Sequence, residues 1–125
     1  MTPDDFRAMA LSLPDTAEAA HFNHPDFRVR GRIFASLGYP SRFWGMVALS
    51  PEQQARFCDA EPTVFVPVKG GWGRGGATQL RLSAARKPSV RAALRAAWRY
   101  RAQQAPTGRR KAATRGKTAP AVRRA

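Results

Sequence analysis

The side chains of this 125-residue chain that could do chemistry are few and fall in a handful of places. His21 and His24 stand three apart, with Asp26 close behind. Two imidazoles and a carboxylate could start a metal site, but the chain has no third histidine, and so sparse a donor set binds weakly. Around Pro25 the same residues read as turn and hydrogen-bonding groups, and no metal is expected. Cys58 is the single cysteine, which excludes an internal disulfide framework and a multi-cysteine zinc site. Beside Phe57 in a helical stretch, it reads as a small buried thiol and not as a nucleophile paired with a histidine. No serine lies in a G-x-S-x-G setting. No Asp or Glu follows Glu61, so an acid–base pair would have to draw its carboxylates from residues 4–61. An enzyme using His21, His24 and Asp26 is the third and weakest reading; the expectation is a non-enzyme with no catalytic residue and no cofactor.

The run Lys69-Gly70-Gly71-Trp72-Gly73-Arg74-Gly75-Gly76 satisfies G-x-G-x-x-G at Gly71, Gly73 and Gly76. A dinucleotide fingerprint needs a helix directly after the glycines, so that its N-terminus meets the pyrophosphate. Here the next residues, ATQLRL, alternate as a strand, and no GK[ST] is present for a phosphate-binding P-loop. Two readings fit. One is a hairpin-type loop whose glycines supply positive φ, with Trp72 covering the edge of the core. The other is a glycine-rich wing that carries Lys69, Trp72 and Arg74 to a phosphate backbone, without reading sequence.

Charge is the strongest signal. The chain has 22 Lys and Arg against 8 Asp and Glu, a formal net charge of +14. Every acid lies at or before Glu61, so the second half is purely cationic. Such asymmetry speaks of partners: nucleic acid, an anionic membrane surface or an acidic protein. Arg91, Arg95 and Arg99, spaced by four, form one stripe of a helix, which Arg86 and Lys87 extend. No acid alternates with them, so the stripe fits a phosphate-contacting surface as well as a solvated arginine face. Residues 105–125 hold seven cations, among them Arg109, Arg110 and Lys111, no aromatic and one large aliphatic, Val122. That segment cannot bury enough apolar surface to offset its ordering entropy and is expected to be a disordered basic tail. Seven phosphate contacts would give a log K against log salt slope of about −6. The tail has no aromatic or leucine anchor for a membrane, and no apolar run nears the roughly 18 residues of a span. The opening MTPDDFRAM carries two acids where a signal peptide carries bases, and the lone cysteine suits a reducing compartment. A cytoplasmic location is expected, one compatible with association with the nucleoid.

Elements must position these residues. Thr2 is an N-cap, Pro3 takes the first helical position, and Phe6, Met9, Ala10 and Leu13 follow helical spacing up to Pro14. A short strand near Ala20 follows, then HPDFRVRGRIFASLG reads as two strands around Arg30-Gly31, and Phe43 to Leu49 as another. Ser50-Pro51-Glu52-Gln53 starts a second helix with a capping box, ending near Ala60. Val64 to Val68 is a strand that Pro67 confines to an edge, and Thr78, Leu80 and Leu82 alternate in a half-buried strand. The last helix runs from about Pro88 to Arg101, with Val90, Leu94, Ala97 and Trp98 on one face. Arg101 falls on that apolar side, so the helix should leave the core there. The order is α-β-β-β-β-α-β-β-α, an α+β fold of antiparallel sheet and helices over residues 1–104.

HPDFRVRGRIFASLG, LSPEQQARF, EPTVFVPVKGGWGRGGATQLRL and LRAAWRYRA, in this order, resemble the MmcQ/YjbR-like family of small bacterial proteins over residues 3–104. The resemblance implies a CyaY-like (frataxin-like) fold and DNA binding through a double wing of loops. His24-Pro25-Asp26-Phe27-Arg28 and Gly70-Gly71-Trp72-Gly73 carry most of the likeness, and Lys69 replaces the proline that the family often has before its glycine pair. On this reading Arg28, Arg30, Arg32, Lys69, Trp72, Arg74, Arg91, Arg95, Arg99, Arg109, Arg110 and Lys111 contact duplex DNA, mostly at phosphates, with low sequence preference. The scattered acids Asp4, Asp5, Asp15 and Glu18 make no acidic ridge for iron. The alternative is a protein- or small-ligand-binding module whose tail alone meets nucleic acid. No oligomeric state follows from the sequence.

Overall fold

The computed structural model describes residues 1–104; the expected tail, with Arg109, Arg110 and Lys111, lies outside them. Local chemistry sets the helix starts as expected. In α1 (Pro3–Leu11), Thr2 Oγ1 accepts from the Asp5 amide at 3.1 Å and Asp5 accepts from the Thr2 amide at 3.0 Å. In α2 (Pro51–Ala60), Ser50 and Gln53 form the same reciprocal pair at 3.2 Å. Each pair satisfies amides that the first helical turn leaves without partners. α1 ends two residues before Leu13, where Ser12 Oγ donates back to the Met9 carbonyl at 2.7 Å.

The strands are β1 (Thr16–His21), β2 (His24–Val29), β3 (Arg32–Leu37), β4 (Trp44–Ala48), β5 (Phe65–Pro67) and β6 (Ala77–Arg81). They form one antiparallel sheet in the order β1-β2-β3-β4-β6-β5. β5 is an edge strand, the place that Pro67, with no amide to donate, permits. Two features depart from the expected order. A single helical turn, α3 (Gly71–Arg74), forms inside the glycine run, and Leu82–Ala84 is a 3-10 turn instead of the end of a strand. α4 (Lys87–Ala102) closes the described chain.

Pleating gives the sheet two faces. Phe27, Ala35, Val47 and Thr78 stand in register across four strands and are buried. α4 covers this side with Val90, Ala93, Leu94 and Ala97, and α1 adds Phe6 and Ala10. Fully burying each of Phe6, Phe27, Phe34 and Phe65 stabilises the fold by roughly 1.5–3 kcal/mol. A β-bulge leaves Phe34 without an opposite partner and turns Ile33 toward the other side, where it faces Arg28. The adjacent row, Ala19–Asp26–Ser36–Met46–Gln79–Val66, lies on the second face, opposite the buried residues of α1 and the middle of α4. Arg101 does not end the helix: it stays on α4, half-buried, and its Nε donates to the Ile33 carbonyl at 3.1 Å. A guanidinium on a long stem keeps its head polar while its stem packs.

Candidate binding face

The second face is built from strand alternation. Asp26 and Arg28 are two apart on β2 and share a side. Asp26 is fully buried. Its carboxylate accepts from Arg28 Nε at 2.8 Å and from a second guanidinium nitrogen at 3.2 Å, while His21 Nδ1 lies 2.7 Å from Oδ2. Since Asp26 accepts, Nδ1 carries the proton. The Arg28 hydrogen bond holds the Asp26 carboxyl below its ordinary value against the opposing effect of burial, with His21 contributing after it. Arg28 is held above its ordinary value by the same contact. The carboxylate is therefore compensated, and the face shows no free negative charge there.

Two turns with positive φ shape the rims. Phe22 (φ +50) and Asn23 (φ +64) join β1 to β2, and Arg30 (φ +53) with Gly31 (φ +79) joins β2 to β3. Consecutive left-handed residues match the twist of a two-residue hairpin, but a Phe there is sterically costly. The Phe22 ring stands edge-on to His21 at 5.9 Å, and the Tyr39 ring edge-on to His24 at 6.2 Å.

The β5–β6 connection forms the opposite rim. Gln54 of α2 donates to the Gly73 carbonyl at 2.9 Å and to the Ala77 carbonyl at 3.0 Å, fastening the glycine run to the domain. Gly73 and Gly76 are structural. A Cβ at Gly73 would overlap the Val68 carbonyl oxygen, and one at Gly76 (φ +114) the Leu49 carbonyl oxygen. Trp72 does not cover the core edge; it is 71% exposed.

Between the rims lie two adjoining hollows of about 550 Å³ each, which share His21, Met46, Gly71 and Trp72. One also meets Phe22, His24, Ser36, Tyr39, Lys69 and Gln79; the other meets Arg28, Gly31, Arg32, Ile33, Tyr100 and Arg101. Both the Arg30-Gly31 turn and the glycine run thus border the second hollow. Arg32 is held below its ordinary value by burial and by the neighbouring Arg101.

Of the expected contact residues, the fold gathers Arg28, Arg32, Lys69 and Trp72 around these hollows. Arg30 is exposed in the adjacent turn, 3.4 Å from the Ala102 carbonyl, and Arg74 is exposed at the end of α3. Arg91, Arg95 and Arg99 are exposed on α4 and line neither hollow, although Tyr100 and Arg101 at the end of the same helix line the second. Sequence reasoning did not nominate Arg101, Tyr39, Ser36 or Gln79 for the site; of these only Gln79 was signalled, as the polar alternate between Thr78 and Leu80. Cys58 is half-buried, and burial pushes its thiol up, with Asp59 adding to the effect. Among the described residues no three His, Cys, Asp or Glu side chains gather as a metal site requires, and no helix is long and apolar enough to cross a membrane.

Comparison with known proteins gives two findings. The family model YjbR matches residues 11–100. The crystal structure of Deinococcus radiodurans protein DR2400, with a DUF419 domain, is similar with a TM-score of 0.63 at 20% identity, over 78% of this chain and 75% of that one. At that identity the likeness speaks for the fold. No curated protein matches the chain.

Proposed function

The chain belongs to the YjbR family, and from that footing we infer that it is a non-enzymatic DNA-binding protein of low sequence preference. We read its architecture as CyaY-like, with the Arg30-Gly31 turn and the glycine run as two wings, working in the cytoplasm. One observation carries this reading: both wings and the cations Arg28, Arg32, Lys69 and Arg101 border one open sheet face on which the buried carboxylate is already compensated. A surface of that sign attracts phosphates, and neutralised phosphates make binding salt-dependent. The seven cations of residues 105–125 add long-range attraction.

Fluorescence anisotropy on labelled duplex DNA across a salt series tests the reading. Replacing Lys69 and Arg74 together by Ala is expected to flatten the slope by about one unit per lost phosphate contact. Absence of DNA affinity in the full chain at low salt would refute it. The alternative, a protein- or small-ligand-binding module whose tail alone meets nucleic acid, draws support from the hollows themselves; it requires all DNA affinity to vanish when residues 105–125 are removed.

A further inference from the structure

We propose that the hollow rimmed by Phe22, Tyr39 and Trp72 receives an unpaired base of a DNA strand, with that nucleotide's phosphate at Lys69. The proposal rests on the DNA-binding reading and names the part of the nucleic acid that the site takes.

The first support is aromatic. Among the described residues the exposed large hydrophobics are Leu11, Phe22, Tyr39, Phe43 and Trp72, and the three most exposed, Phe22 at 89%, Trp72 at 71% and Tyr39 at 62%, all line this hollow. Single exposed rings are ordinary; rings converging on one cavity mark a ligand surface. Phe22 keeps its ring there at a left-handed backbone position that a bulky residue avoids. Phe22 stands edge-on to His21, itself tied to Asp26, and Tyr39 stands edge-on to His24, so each ring has one aromatic neighbour at the rim.

The second support is the polar lining. The Ser36 hydroxyl, in a residue only 9% exposed, and the half-buried Gln79 amide both line the hollow, and neither side chain has a hydrogen-bond partner among the described residues. Buried polar groups call for partners, and a hydroxyl with an amide offers the donors and acceptors that a base edge needs. The third is charge. Lys69 lines the hollow and no carboxylate does, so the occupant is anionic. Residues 105–125, with seven cations and no acid, are excluded as that occupant by their sign. An acidic peptide would meet Lys69 but offers no flat faces to the rings; a nucleotide offers both. In paired DNA each base face is covered by its neighbours, so an unpaired base is the one that can stack on protein. A volume of about 550 Å³ suits one nucleotide, not a tract.

The test is anisotropy with the full-length chain on one labelled oligonucleotide, presented as a single strand, as a blunt duplex and as a duplex with an unpaired overhang. Single strand and overhang are expected to bind roughly tenfold more tightly than blunt duplex. Trp72→Ala should abolish that preference while leaving the salt slope intact, Trp72→Phe should restore it, and Lys69→Ala should keep the preference but flatten the slope. Equal affinity for the three DNAs, or a preference that survives Trp72→Ala, overturns the base pocket and leaves DNA binding standing. Binding to none of them overturns the DNA-binding reading and the pocket with it. A free nucleoside monophosphate that raises Tm, when no oligonucleotide binds, overturns the strand as the source and assigns the hollow to a free nucleotide.

Discussion

Asp26 shows how one buried charge is made tolerable. Its two oxygens are shared between Arg28 and His21, and neither partner leaves the sheet face to reach it. Asp26→Asn keeps the shape but sets an amide against donors. We expect a loss on the order of 2 kcal/mol, below the ~3–5 kcal/mol of a pair enclosed on both sides, because Arg28 is 37% exposed and regains water. The sign with pH follows from the lowered carboxyl. Its stabilisation is complete above the unfolded value of about 3.9 and is lost as pH falls through the folded one. Thermal melts should therefore show the gap between wild type and Asp26→Asn narrowing below about pH 4; a gap that is constant down to acid pH would contradict this account. The Asp26–Arg28 contact is readable from period-two alternation on one strand. The grouping of His21 with Asp26 as hydrogen-bonding residues around Pro25 is also legible, but the exact pairing comes from the β1–β2 register, which places His21 diagonally from Asp26.

At the scale of elements, the glycine run separates two kinds of glycine. Gly76 sits at φ +114 against the Leu49 carbonyl, whereas Gly75 has an ordinary helical φ of −82 and its nearest neighbour at 3.5 Å. Gly76→Ala should destabilise by more than about 2 kcal/mol. Gly75→Ala should be neutral or stabilise by about 0.4–1 kcal/mol, through a less flexible unfolded chain. Urea unfolding of the two variants gives the comparison; equal losses at both sites would show that the run is merely flexible. The helix starts and the order of long elements could be read because caps and periodicity are local. α3 could not be read: among so many glycines, four residues leave no apolar period. Nor could the fastening of the run, since nothing in its neighbours states that Gln54 holds it from another helix.

On the scale of the molecule, alternation shows that Met46 and Gln79 face away from Val47 and Thr78, but not which side the helices take. That choice is tertiary, and it decides that Lys69 and Arg28 border hollows while Arg91, Arg95 and Arg99 do not. The cations of the folded part thus fall into two sets, one bordering the hollows and one not, and the sequence of residues 105–125 adds seven more. Removing those residues should lower duplex affinity uniformly across sequences and flatten the salt slope by up to about six. A slope unchanged by the truncation would show that the tail's cations meet no phosphate.

The sheet's sidedness has a consequence for how such a protein changes over generations. Phe27, Ala35, Val47 and Thr78 are answerable to the interior, whereas Met46, Gln79 and Val66 are only half-buried on the other face. Met46, Gln79 or Val66 can be exchanged without disturbing Val47, Thr78 or Phe65, which hold the interior together. One scaffold can therefore take on new ligands by drift along a single face, its stability guarded by the other.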